Sequence, residues 1–202
     1  MNKKRFYRMN KKNAHKGEKI MRTFLAVNLA TELREKVLEV QKSIKRANAA
    51  VKYVEPENLH FTCKFFGEIS EEKVEKISEI IREKISKYGP FEIDIKGTGV
   101  FPHPGYIRVI WLGLEDVQYF SQILKDFDAG FNKLGFKKEK SYIPHLTLGR
   151  VKGAKNKEAL AEMIRKLKDV EVGPMMVTKI ELKKSDLTPE GPVYTTVKEF
   201  KL

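Results

Sequence analysis

The sequence predicts an α+β fold on a bilobal, pseudo-symmetric plan, with two antiparallel β-sheets flanking a central cleft and helices outside. Three observations predict it. Helical and strand periodicities alternate along the chain without a regular βαβ rhythm, which favours antiparallel over parallel pairing. Two short segments nearly repeat one another, Leu59-His60-Phe61-Thr62-Cys63 and Pro144-His145-Leu146-Thr147-Leu148, so each half is expected to contribute one such strand to a shared groove. The 202 residues suffice for one sizeable core or two small lobes sharing an interface, and no linker-like stretch divides them.

Each element follows from local pattern. Residues 1–20 hold eight Lys/Arg and one Glu, so a basic, disordered leader is expected, with Met21 as an alternative start site. Residues 21–202 are expected to form a single domain. Thr23–Leu29 reads as a strand, followed by a helix capped by Thr31 with Leu33, Val37, Val40 and Ile44 at helical spacing. Val51–Val54 is extended up to Pro56, and the first H-x-T strand runs to Phe66 before Gly67 ends it. Ser70 caps the next helix, whose stripe is Val74, Ile77, Ile81 and Ile85, stopped by Gly89-Pro90. Phe91–Ile95 alternates as a strand, a loop spans Phe101–Gly105, and Tyr106–Leu112 is a more continuously apolar strand. A helix covers Val117–Leu134, ended by Gly135 ahead of the second H-x-T strand. Asn156 caps a helix carrying Leu160, Ile164 and Leu167. Two strands, Met175–Leu182 and Val193–Phe200, close the chain around a turn at Pro189–Pro192.

Composition narrows the function. Hydrophobic residues at 41% and charged residues at 33% are globular values and leave no compositional case for a disordered protein. No stretch approaches the ~20 apolar residues of a membrane span, and the basic N-terminus lacks the apolar stretch of a secretory signal. The single Cys63 cannot form an internal disulfide and reads as a small buried hydrophobe. A cytoplasmic protein is expected. The net charge of +13 suits a polyanionic partner, and residues 21–202 remain basic without the leader.

The paired motifs carry the chemistry. In a strand, His and Thr two residues apart share one face and the residues between them take the other. Phe61, Cys63 and Phe65 would then back His60 and Thr62, and Leu146 and Leu148 would back His145 and Thr147. Of the chain's four His, one lies in the leader (His15) and one in a turn between prolines (His103). The other two share the same pattern. Two imidazoles near neutral pKa can act as base and acid in one reaction at phosphorus, and a hydroxyl beside each can donate to a non-bridging phosphate oxygen. A 2′,3′-cyclic phosphate matches such a site, because its ring opens by in-line attack without a nucleophilic side chain. Neither motif has the spacing of a zinc site, although a two-His metal site stays open on strand geometry. No P-loop and no G-x-S-x-G elbow occurs. Lys64 and Phe66 share the parity of His60, as a cleft cation or solvated Lys and as a base-stacking ring or local packing residue. Arg150 breaks the parity of His145 and would reach the cleft only if the strand ends or bulges near Gly149. Trp111 reads as core.

The segments Pro56–Gly67 and Pro144–Arg150 closely resemble the paired H-x-T-x signatures of the 2H phosphoesterases. Within them, the RNA 2′,3′-cyclic phosphodiesterases, also called the 2′-5′ RNA ligase family, match best. The resemblance runs from Met21 to the C-terminus and includes Phe101-Pro102 and Val109–Gly113; Cys63 stands where an aliphatic residue is usual. It implies a bilobal cleft fold that hydrolyses RNA 2′,3′-cyclic phosphodiesters to 2′-phosphomonoesters with no metal or other cofactor. Carried over by motif order, His60 protonates the leaving 3′ oxygen, His145 accepts the proton of water, and Thr62 and Thr147 hold the phosphate. Arg150, Lys64 and Phe66 are candidate substrate contacts. The implied partner is RNA with cyclic phosphate ends, tRNA-like fragments among them, and the protein is expected to be monomeric and free of membranes. Two other readings stand beside this one: 2′-5′ ligation of cyclic-phosphate and 5′-hydroxyl ends, and a non-enzymatic module that grips RNA phosphates.

Overall fold

The computed structural model describes residues 19–189 and 191–202. The expectation of a disordered leader therefore falls, for residues 1–18, outside the described residues. Nine strands and four helices are described: β1 (Ile20–Asn28), α1 (Arg34–Lys45), β2 (Val51–Tyr53), β3 (His60–Ser70), α2 (Glu71–Ile85), β4 (Phe91–His103), β5 (Tyr106–Leu114), α3 (Gln118–Lys133), β6 (Leu146–Val151), α4 (Lys157–Lys166), β7 (Glu171–Val177), β8 (Lys179–Leu187) and β9 (Pro192–Lys201). Short 3-10 turns at Thr31–Leu33 and Pro56–Asn58 precede α1 and β3. No helix among the described residues is long and apolar enough to cross a membrane.

The strands run in the order β7-β4-β5-β6-β3-β1-β8-β9, with β2 added to β6. All pairings are antiparallel. The two expected sheets are the two halves of this order, β7-β4-β5-β6 and β3-β1-β8-β9. They are joined at one residue pair, Phe61↔Leu146, so the curled sheet is continuous in hydrogen bonding at its centre. That pair joins the residues lying between His and Thr in each motif. Phe61 and Leu146 are fully buried and turn their side chains into the core, leaving the four polar motif residues on the other face.

Helices cover the outer faces. Leu25, Ile77, Ile81, Ile95, Ile110 and Phe127 belong to one continuous core in which the sheet meets the helices. Helices α1 and α4 pack together, as do α2 and α3. Helix α1 follows β1 in one half yet reaches β6 of the other, through Gln41. Helix α3 follows β5 yet packs on β3, where Phe131 meets Phe66 edge to face at 4.9 Å. Each half is thus backed partly by a helix that leaves the opposite half.

Several local expectations are corrected. Ser70 does cap α2, accepting from the Lys73 amide. Thr31 makes no cap and instead starts the 3-10 turn. Asn156 sits at φ +52° and its amide donates to the carbonyls of Ala47 and Asn48, tying the start of α4 to the end of α1. Gly67, at φ +77°, does not end β3, which continues to Ser70. The segment Phe101–His103 is strand rather than loop, leaving a tight turn at Pro104-Gly105. Met175–Leu182 is not one strand. Its alternation slips at the exposed pair Thr178-Lys179, where the chain passes from β7, paired with β4, to β8, paired with β1 in the other half. No Gly or Pro marks that crossing, so the slipped step is its one local sign.

Candidate active site

The Phe61↔Leu146 pair centres a local two-fold arrangement. On the cleft face His60 and Thr62 flank it from β3, and His145 and Thr147 flank it from β6. All four are partly exposed. Each imidazole is oriented in the same way: Nδ1 of His60 lies 2.7 Å from the Asn58 carbonyl, and Nδ1 of His145 lies 3.0 Å from the Ile143 carbonyl. A carbonyl only accepts, so the neutral ring carries its proton on Nδ1 and leaves the Nε2 lone pair for the cleft. In both motifs the partner is the carbonyl two residues upstream. Neither threonine hydroxyl has a hydrogen-bond partner among the described residues.

A second shared feature separates the candidate residues. In β3 the pairing with β1 steps from Ala26↔Thr62 to Leu25↔Lys64, so Cys63 is an extra, bulged residue. In β6 the pairing with β5 steps from Trp111↔Thr147 to Ile110↔Gly149, so Leu148 is the extra residue. A bulge reverses the alternation beyond it. Both bulges fall at the fourth motif position, and both move the residue five beyond the histidine onto the cleft face.

That residue is Arg150 in β6, as the conditional expectation of a bulge required. Arg150 is exposed and has no ion-pair partner among the described residues. The Leu148 carbonyl released by the bulge accepts from the Val54 amide and from Gln41 of α1, at 2.9 and 3.0 Å. Gly149 lets β2 lie against this turn, since a Cβ there would approach Val51 Cγ1 to 2.8 Å.

In β3 the corresponding residue is Phe65, which is 57% exposed and lies 5.8 Å from the Phe24 ring. Lys64 and Phe66 are therefore corrected as substrate contacts, because the Cys63 bulge turns both toward the helices. Lys64 is buried and pairs with Asp128 of α3 at 2.5 Å and with Glu139 at 2.9 Å. It also donates to the Lys137 carbonyl. Phe66 packs on Phe131 and Phe136. Phe65, expected in the core, takes the open position in their stead.

The cleft has contributors that strand parity did not reveal. Phe24 and Tyr194 contact the His60 ring at 5.0 and 5.5 Å, while Phe101 and Trp111 contact His145 at 5.0 and 6.1 Å. Trp111 is thus a wall of the cleft and not core. Its indole lies over Gly99, where a Cβ would come within 2.1 Å of the ring, and its N–H is buried without a partner among the described residues. Lys183 of β8 donates to the Asn28 side chain at 2.8 Å, on the β1 residue paired with His60. His103 sits at the β4–β5 turn, exposed.

Burial lowers the His60 pKa to about 4, the Asn58 carbonyl opposes this, and the positive charges of Lys183 and Arg150 add to the lowering. His60 is therefore neutral at neutral pH when no anion is bound beside it. Replacing Lys183 with Met removes one repelling cation and is expected to raise the His60 pKa from about 4 toward the ordinary value. A two-dimensional NMR titration of the imidazole measures this; an unmoved or lower midpoint would contradict the electrostatic account. Among the described residues no group of three or more His, Cys, Asp or Glu side chains is placed to hold a metal ion.

The family model described as LigT like Phosphoesterase matches residues 27–111 and 112–194, one H-x-T motif in each stretch. The chain belongs to the LigT-like phosphoesterase family. Within it, the chain is similar to the RNA 2′,3′-cyclic phosphodiesterase of Methanothermobacter thermautotrophicus, 52% identical over 90% of this chain and 99% of that protein. It is also similar to the RNA 2′,3′-cyclic phosphodiesterase of Methanocaldococcus jannaschii, 43% identical over 89% of this chain and 100% of that one. A crystal structure of a Thermus thermophilus protein superposes with a TM-score of 0.76 at 30% identity, covering 90% of this chain and 98% of the other. Escherichia coli LigT in apo form shares the fold, with a TM-score of 0.70 at 22% identity over 91% and 98% of the two chains. The α+β, pseudo-symmetric family fold is therefore that of this phosphoesterase.

Proposed function

We propose that this phosphoesterase hydrolyses 2′,3′-cyclic phosphate ends of RNA to 2′-phosphomonoesters by two-histidine acid/base catalysis without a metal ion. One observation carries the reading. Two histidines with identically fixed tautomers, each beside an unengaged threonine hydroxyl, face one cleft across the Phe61↔Leu146 pair. The names of the similar archaeal proteins supply the substrate class.

The chemistry follows from the groups present. The Nε2 of His145 accepts a proton from water as the water oxygen attacks phosphorus. The P–O3′ bond breaks in line, and His60 delivers a proton to the departing O3′. The product keeps phosphate on the 2′ oxygen and a free 3′ hydroxyl. Thr62 and Thr147 donate to the non-bridging oxygens as charge builds there, and Arg150 complements the same charge. The low pKa of His60 is reconciled with an acid role by the substrate itself. A phosphate anion entering the cleft offsets Lys183 and Arg150 and raises the proton affinity of His60 when the proton is needed. Phe65 offers an aromatic face for a base at the cleft edge. The protein is taken to act in the cytoplasm as a monomer on RNA fragments, including tRNA-like ones.

The test is incubation with EDTA and a short RNA ending in a 2′,3′-cyclic phosphate, with the product phosphate assigned by NMR. A 2′-phosphate formed at an undiminished rate supports the proposal. Loss of activity restored by a divalent cation would overturn its metal-free part. A 2′-5′-linked product formed only when 5′-hydroxyl RNA is added would assign ligation in place of hydrolysis.

A further inference from the structure

Beside the histidine cleft lies a second cavity of about 370 Å³, within the size range of small-ligand sites. It adjoins the cleft rather than standing apart. Arg150 and Tyr194 line it, and the Tyr194 ring reaches His60 from the other side. Asn58, whose carbonyl holds His60, also lines it and spans its two walls by donating to the Pro192 carbonyl at 3.2 Å. Anything extending from a phosphate held at the histidines past Arg150 enters this space.

The cavity gathers three cations, Lys52, Arg150 and Lys152. Lys52 on β2 stands directly opposite Arg150 on β6, and Lys152, one residue past the end of β6, lines the same cavity. Like charges opposed across a strand pair are destabilising. Some lysines elsewhere are pulled onto carboxylates, as with Lys96 and Lys179, each bonded to two. Lys52, Arg150 and Lys152 have no ion pair among the described residues. Glu55 and Glu57 also line the cavity, at the start of and within the 3-10 turn that forms another rim. Their carboxylates repel phosphate from that rim and can accept hydrogen bonds from the amino groups of a base.

We infer that this cavity is the subsite for the nucleotide immediately 5′ to the cyclic phosphate end, its phosphodiester held by Lys52 and Lys152. The inference rests on the hydrolase reading above. It makes the enzyme selective for RNA ends over free nucleoside cyclic phosphates, because a mononucleotide has no phosphodiester to place between the lysines. Each phosphate contact also contributes to the salt dependence of RNA binding, roughly 0.7 per contact in the log–log slope for a single strand.

The experiment compares kcat/KM on a nucleoside 2′,3′-cyclic phosphate and on a dinucleotide and tetranucleotide with the same end. Wild type is set against the double variant Lys52→Ala/Lys152→Ala, with melting temperatures recorded for both. The expected result is a preference of wild type for the dinucleotide of at least about tenfold, the order of one charge-assisted contact. The double variant should lose most of that preference, show a shallower salt slope, and keep its activity on the nucleoside. Equal wild-type activity on nucleoside and dinucleotide would overturn the subsite. So would a double variant that loses activity on both in the same proportion. Wild type inactive on all three substrates would instead overturn the hydrolase reading and the subsite with it.

Discussion

Replacing His60 or His145 with Ala is expected to lower single-turnover hydrolysis of cyclic-phosphate RNA by about 10²–10⁴-fold, the usual worth of a positioned acid or base. RNA affinity should change little, because the many basic side chains outside the pair supply most of the charge that attracts the strand. The double variant should lose little more than the worse single one, since acid and base act in one displacement and their contributions do not multiply. Removing the hydroxyl alone, by Thr62→Val or Thr147→Val, leaves both proton carriers and should cost less. Rapid-quench assays alongside fluorescence titrations of binding separate the two effects. Single histidine variants that bind RNA weakly but turn over bound RNA at the wild-type rate would show that these side chains grip phosphate and do not move protons.

The second large effect lies away from the cleft. Asp128 accepts from Lys64, from the Glu139 amide at 2.9 Å and from the Tyr142 hydroxyl at 2.8 Å. Burial alone would raise its carboxyl, but these hydrogen bonds and the Lys64 charge hold it below the usual carboxylate range. Lys64→Met leaves the Asp128 carboxylate buried without a countercharge and is expected to destabilise the fold by about 3–5 kcal/mol, while Asp128→Leu leaves Lys64 only the half-exposed Glu139 and should cost somewhat less. That is a large part of the total stability of an ordinary domain. The double variant Lys64→Met/Asp128→Leu should recover much of the loss, because no lone charge remains. Urea unfolding of the three variants measures this, and single variants as stable as wild type would contradict it. The Asp128 contribution is fully present above the ordinary carboxylate pKa and is lost as pH falls through the lowered folded value, so Asp128→Leu should flatten the acid limb of the stability curve. The network also ties α3 to residues 137–142, the stretch leading to His145.

Much of this was legible from residue order. The two H-x-T repeats identify the strands that carry the candidate site, because alternation alone places His and Thr together and sends Phe61 and Leu146 inward. Helical stripes such as Val74, Ile77, Ile81 and Ile85 locate the helices because 3.6-residue periodicity is a local property. The family resemblance rests on the same few residues.

What the order of residues could not supply is where that alternation fails. The bulges at Cys63 and Leu148 are set by how β3 lies against β1 and β6 against β5, which are pairings between distant segments. They send Lys64 and Phe66 to the core, bring Phe65 and Arg150 to the cleft, and are invisible to a two-residue period. The crossing at Thr178 shows in the sequence only as one slipped step of alternation, because what turns that step into a change of sheet half is the pairing of β7 with β4 and of β8 with β1. The aromatic walls from Phe24, Phe101, Trp111 and Tyr194, the Lys183 charge behind His60 and the lysine-lined cavity beside Arg150 likewise come from strands far apart in the chain. By itself the sequence determined which side chains are the candidates for the chemistry and which class of fold carries them. The tertiary structure decided which neighbours those side chains meet, because register, bulges and burial arise only when distant strands pair.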